Sequence, residues 1–177
     1  MGTNMKGRAT VRRGSITELH LQCIVNATYP ALTGKDGVNG TIQKAAGPEL
    51  QEAFKAMGGM TISEARITSG FHSDADYIIH TIGPFYKGNP EDSRALAACY
   101  LNCLDVANAN GITQIAFPAI SCGANTFPIE KAMPIAVESV RLWLHEHPDV
   151  SMHVLFVGII ANVFDAYWHY LYSHPVV

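Results

Sequence analysis

CIVNATYPALTGKDGVNGTIQKAAG, residues 23–47, decides the fold of this chain. An apolar strand over Cys23–Asn26 runs into a glycine-spaced loop, and the loop opens a helix from about Val38 to Ala46. Strand, loop and helix N-terminus in that order make a cradle for phosphate. The first N–H groups of a helix have no partner within it and carry partial positive charge. Glycines at 34, 37 and 40 are expected to let a ligand approach bare backbone.

A second such turn lies about ninety residues further on, in IAFPAISCGANTFPIEKA, residues 115–132, where another apolar strand enters a small-residue loop and a helix. Two anion-binding turns point to a diphosphate. The donors would be backbone N–H groups of Gly37, Val38, Ser121, Gly123, Ala124 and Asn125, which depend little on side-chain identity.

Between and around these segments strands and helices alternate. Strand-like runs cover Ala9–Arg12, Cys23–Asn26, Ala65–Ser69, Tyr77–Ile82, Gln114–Phe117 and Met152–Gly158. Helical patterns cover Val38–Ala46, Pro48–Met57, Ser93–Asn110, Ile129–Glu146 and Val163–Tyr172. Strands that read as continuous apolar runs are buried on both faces, which predicts a three-layer α/β/α sandwich around a mixed, largely parallel sheet. Ligands of such sheets sit at the carboxyl ends of central strands, where both loops fall.

With 177 residues and 48% hydrophobic content, the chain has material for one sizeable core. Residues 1–5 are patternless and read as a disordered tail or a leftover of cloning, and 6–177 as a single domain. The net charge of −3 argues against a duplex nucleic-acid binder. The basic cluster Lys6, Arg8, Arg12 and Arg13 reads as a solvated strand edge, with attraction of an anionic polymer as the other option. The apolar run Val154–Ile160 is too short to span a bilayer, and no signal peptide is recognisable, so a cytoplasmic or nuclear protein without a membrane partner is expected.

Cys23, Cys99, Cys103 and Cys122 contain no C-x-x-C pair, and core packing or isolated thiols are expected rather than disulfides or a metal site. Cys122 precedes a helix, where the dipole could make it a nucleophile, yet no neighbouring base is evident. His145 and His147 are two apart on a helix and cannot share a metal; His80 lies inside an apolar strand, as a hydrogen-bonded core histidine would. No P-loop and no G-x-G-x-x-G occurs. No cofactor is implied.

The ordered set Gly14-Ser15-Ile16-Thr17, Ile24–Ala27, Gly37-Val38, Ala45-Ala46-Gly47, His80–Pro84 and Phe117–Ser121 resembles the macrodomains that bind ADP-ribose, in particular their MacroD-like branch of ADP-ribose hydrolases and deacetylases. The resemblance covers nearly the whole chain. It implies ligand contacts at Ser15, Ile16, Asn26, Tyr29, Gly37, Val38, Ser121, Cys122, Gly123, Ala124, Asn125 and Phe127.

Four positions depart from that family. Ser15 stands where it has an Asp that accepts from adenine, and a neutral hydroxyl is a weaker acceptor than a carboxylate. The motif N-A-A-N reads Asn26-Ala27-Thr28-Tyr29, with a phenol where the second Asn contacts the distal ribose. The glycine-rich G-G-G-G-V-D-G reads Gly34–Gly40 with Asn39 at the catalytic-type Asp, and an amide is no base near neutral pH. Asn125 stands where a Tyr covers the distal ribose.

Two functions remain. One is binding of ADP-ribose or a related nucleotide diphosphate, with hydrolysis weak or absent. The alternative is an active hydrolase that removes ADP-ribose from proteins or deacetylates O-acetyl-ADP-ribose, with Asn26 and Asn39 positioning water and Asp36 as replacement base. An ADP-ribosylated protein is then a possible partner.

Overall fold

The structure is a computed structural model that describes residues 7–173. The expected tail over residues 1–5 and the basic Lys6 lie outside the described residues.

Among the described residues six strands form one sheet: β1 (Ala9–Arg13), β2 (Cys23–Thr28), β3 (Ala65–Ser69), β4 (Tyr77–Ile82), β5 (Gln114–Phe117) and β6 (His153–Gly158), in the order β1-β6-β5-β2-β4-β3. All neighbours run parallel except β3, which pairs antiparallel with β4 at the edge. The helices are α1 (Gly37–Ala46), α2 (Pro48–Met57), α3 (Pro90–Ala109), α4 (Ile129–Glu146) and α5 (Ala161–Ser173).

Strand alternation divides the core. Val25, Ile79, Ile115, Phe117, Val154 and Phe156 face α3, α4 and α5, whereas Ile24, Ile78, Ala116 and Val157 face α1 and α2. The sheet is thus covered on both sides, as its continuous apolar strands require. Cys23, Cys99 and Cys103 are free thiols in the first of these layers and are fully buried.

Several element ends shift by one to three residues from the sequence reading, and two of the shifts bear on the local structure. Helix α3 starts at Pro90 rather than Ser93, because Asn89 closes a capping box: its Oδ1 accepts from Asp92 N–H at 3.1 Å, and Asp92 Oδ2 accepts from Asn89 N–H at 3.2 Å. Strand β2 continues past Asn26 to Thr28, in register with Thr81 and Ile82 of β4.

Arg8 leaves the supposed basic edge. Its guanidinium donates to the carbonyls of Val150 (2.6 Å), Met152, Leu144 and His147, and so clamps the turn between α4 and β6. Arg12 and Arg13 remain exposed. Among the described residues no helix is long and apolar enough to cross a membrane.

Candidate functional site

Parallel β2, β4 and β5 end at the same edge of the sheet, and an open cleft with a volume of about 100 Å³ lies there. The end of β2 contributes Ala27, Thr28 and Tyr29, the turn into α1 contributes Asp36 to Asn39, and Gly83 follows β4. The loop after β5 contributes Ala119, Ser121, Gly123, Ala124 and Asn125. The two glycine-spaced loops therefore converge on one cleft.

At the mouth of α1, Gly37 has φ +57 and nothing within 4 Å of where a Cβ would stand, so bare backbone faces open space. The first N–H groups of α1 have no partner within the helix. Gly34 and Gly40 have a different use from the one expected. A Cβ on Gly34 would meet the ring of Tyr29 at 2.7 Å, and one on Gly40 would run into the carbonyl of Lys35. Both glycines serve close packing of the chain on itself. Asp36 precedes α1, is exposed, and makes no side-chain capping bond.

Asn26 and Asn39 are both buried, but their side chains are engaged with the protein. Asn39 Nδ2 donates to the carbonyls of Thr33 (3.2 Å) and Gly34 (2.9 Å), while its Oδ1 accepts from Asn26 Nδ2 at 3.1 Å. Asn26 Nδ2 also lies 3.2 Å from His80 Nδ1. Asn26 shares a strand face with Ile24 and Thr28, but it stands two residues short of the strand end, beneath Asn39, and does not line the cleft. His80 is fully buried, with its ring edge-to-face on Phe54 at 4.8 Å. Burial pushes its pKa down to about 3, so it is a neutral core imidazole.

In the second loop Ser121 takes φ +66, and its main-chain carbonyl accepts from Phe127 N–H at 2.9 Å. Asn125 Nδ2 donates to Gly83 O at 2.8 Å and its carbonyl accepts from Tyr86 N–H at 3.0 Å, which straps this loop to the segment after β4. Gly123 is open, since a Cβ added there would find nothing within 4 Å.

Four further expected ligand positions do not line the cleft. Cys122 packs against the core with its Sγ 3.6 Å from Ile120 O; burial, and then Glu130, push its thiol up to about 12, the opposite of an activated nucleophile. Phe127 is a core residue with its ring 4.8 Å from that of Tyr86. Ile16 is buried in the layer under α1 and α2, and Ser15 Oγ is bonded to Thr17 Oγ1 at 2.9 Å.

The sequence reading passed over Thr28, Gly83, Ala27 and Ala119 as lining residues. Gly83 was detectable as the glycine directly after an apolar strand: a Cβ there would strike Ile120 and Ser121. Thr28 needed the true length of β2. Its Oγ1 and the Oγ of Ser121 are buried and without a hydrogen-bond partner, a condition that costs roughly 1–3 kcal/mol per group unless a bound group engages them. Among the described residues Asp36 is the one charged residue in the lining. The cleft therefore offers helix-start N–H groups, with the carboxylate of Asp36 at its rim and two unpartnered hydroxyls buried in its wall.

A family model described as Macro domain matches residues 25–136. The chain is 50% identical over 130 residues to a Macro domain-containing protein of Ralstonia nicotianae, covering 73% of this chain and 76% of that one. It superimposes on the Oceanobacillus iheyensis macrodomain with ADP at a TM-score of 0.88 and 32% identity, covering 96% of this chain and 93% of the other. The Trypanosoma brucei macrodomain in complex with ADP-ribose gives 0.85 at 31% identity, covering 90% and 67%. With its mixed sheet between two helical layers and its paired loops at the strand ends, this chain belongs to the Macro domain family.

Proposed function

We propose that the cleft binds ADP-ribose or a closely related nucleotide diphosphate, and that hydrolysis of the MacroD type is weak or absent. One observation carries this reading: two loops from separate strand ends meet around Gly37 and Gly123, both open to the cleft, beside the buried, unpartnered hydroxyls of Thr28 and Ser121. Such a surface suits a diphosphate whose oxygens accept hydrogen bonds. Relatives of the same fold carry ADP and ADP-ribose.

Loss of catalysis follows from Asn39. Its amide cannot take a proton near neutral pH, and both its hydrogens are committed to the loop. Titration calorimetry with ADP-ribose, ADP and AMP tests the binding reading. Affinity for ADP-ribose and ADP well above that for AMP supports it, and equal or absent binding of all three sinks it.

The second reading, an active hydrolase acting on ADP-ribosylated protein or on O-acetyl-ADP-ribose, is favoured by one residue. Asp36 is exposed at the rim with no capping duty, a carboxylate free to accept a proton from water. Release assays on both substrates decide between the readings, and Asp36→Ala should abolish any turnover found. The setting that fits either reading is cytoplasmic or nuclear, and the net charge of −3 gives no footprint for duplex nucleic acid.

A further inference from the structure

The amide at position 39 stands in a chain of hydrogen bonds whose protons can be assigned, with Asn26 Oδ1 alone in that chain left buried and without a partner. Two carbonyls, Thr33 O and Gly34 O, face one end of the Asn39 side chain, so that end must be the NH₂ group and both its hydrogens are used. Its Oδ1 then faces Asn26, which must donate. The remaining hydrogen of Asn26 Nδ2 goes to His80 Nδ1, so the imidazole proton sits on Nε2. That N–H donates to Thr68 Oγ1 at 2.9 Å, and the Thr68 hydroxyl donates to Ser69 O at 2.9 Å.

One turn further along α1, Gln43 Nε2 donates to the same Gly34 carbonyl at 2.7 Å, and Gln51 Nε2 donates in turn to Gln43 Oε1. Residues 39 and 43 are i, i+4 neighbours on one helix face, and they converge on a single carbonyl. A carboxylate at position 39 would set a negative oxygen against two carbonyl oxygens.

We propose that Asn39 is a positioning residue for the ligand. With Gln43 it staples Thr33 and Gly34, the start of the loop that leads to the cleft-lining residues Asp36 to Asn39, onto α1, and Asn26, His80 and Thr68 fix the direction of its amide. The peptide unit is planar and trans, so carbonyls held toward α1 turn the following N–H groups, those of Gly34 and Lys35, away from it. The staple thereby fixes the two peptide units from which the loop runs on to the mouth of α1 before any ligand arrives. Asn39 thus exchanges water activation for a rigid diphosphate cradle, and this rests on the nucleotide-diphosphate reading of the cleft.

The test compares the full chain with Asn39→Asp and Gln43→Ala by three readouts: ADP-ribose and ADP titration, melting temperature, and hydrogen exchange of the amides of residues 33–38. Asn39→Asp should weaken both ligands alike, by about ten- to a hundredfold, and Gln43→Ala by about three- to tenfold. Exchange should accelerate in this loop while the rest of the sheet stays protected. A purely structural role would instead lower the melting temperature and leave the affinity of the remaining folded protein unchanged, and that result overturns the proposal. So does undiminished binding by Asn39→Asp.

If Asn39→Asp does not fold, Gln43→Ala, at a half-buried position, carries the same test. If the parent protein binds neither ligand, the diphosphate reading fails, and the staple is then judged on exchange alone. Faster loop exchange in the variants keeps it, and identical exchange removes it.

Discussion

The ring of Tyr29 lies against the backbone of Gly34, so closely that a Cβ on residue 34 would stand 2.7 Å from both Cδ2 and Cε2. Gly34 also holds φ +96, a conformation that L side chains rarely adopt. Gly34→Ala should therefore destabilise the fold by roughly 1–3 kcal/mol, read from urea unfolding. In the double variant with Tyr29→Ala, part of the loss should return as the ring contact disappears, while the backbone strain remains. Full additivity of the two changes would show that the ring and the glycine are not coupled.

Thr28 should show stability and ligand binding moving in opposite directions. Its buried hydroxyl has no partner within the protein, so Thr28→Val should raise the stability of the ligand-free protein by about 1 kcal/mol. The same change should lower affinity for ADP-ribose if that hydroxyl meets the ligand. Calorimetric titration and thermal unfolding of one preparation check both halves, and a variant that binds unchanged removes Thr28 from the site.

Arg8 should behave as a clamp. Its guanidinium reaches four carbonyls of the α4–β6 connection, the shortest at 2.6 Å to Val150. Arg8→Met retains the aliphatic stem and should cost roughly 1.5–3 kcal/mol in urea unfolding, the range for hydrogen bonds to a charged group. Arg8→Lys should recover only a fraction, because an ammonium cannot span several carbonyls as the planar fork does.

His80 should contribute an acid-sensitive part of the stability. Burial lowers its folded pKa to about 3, below the unfolded value near 6.5. The unfolded chain therefore binds the extra proton between those pH values. The stability associated with a neutral His80 is fully present above about pH 6.5 and is lost as pH falls toward 3, by up to about 1.4 kcal/mol per pH unit. His80→Gln can accept from Asn26 and donate to Thr68, so its unfolding midpoint should fall less steeply with acid than that of the parent. Parallel slopes in the two proteins would contradict the assignment.

Cys122 should be inert. With its thiol pushed up to about 12, the thiolate fraction near neutral pH is about a thousandfold below that of a thiol at 9. Labelling by an aromatic disulfide reagent should be correspondingly slow in the folded protein and rapid in urea. Fast labelling under native conditions would reopen the case for a nucleophile.

The sheet and its helices were legible in the sequence because apolar periodicity reports burial directly. Cys23–Asn26 and Tyr77–Ile82 read as buried runs, and they are neighbours in the sheet. What escaped depends on partners distant in sequence. Nothing local to Ala65–Ser69 shows that it pairs antiparallel while the other strands run parallel. Asn26 looked like a site residue because a motif places it beside Tyr29, but the strand runs on to Thr28, which leaves Asn26 below the rim and covered by Asn39. Gly40 looked like a ligand-facing glycine, whereas its neighbour is the Lys35 carbonyl five residues back. Spacing identifies where a loop must be tight. It does not tell whether ligand or protein occupies the tight space.

Among the described residues the cleft wall contains no lysine or arginine, and its polar groups are peptide groups, hydroxyls, the amides of Asn39 and Asn125 and the carboxylate of Asp36. A site of that make-up attracts an anion through fixed dipoles at short range, so no condensed counterions need be displaced when the ligand enters. Occupancy should then change little from dilute buffer to concentrated salt, and sugar nucleotides would be sampled with the same selectivity across the ionic conditions a cell passes through.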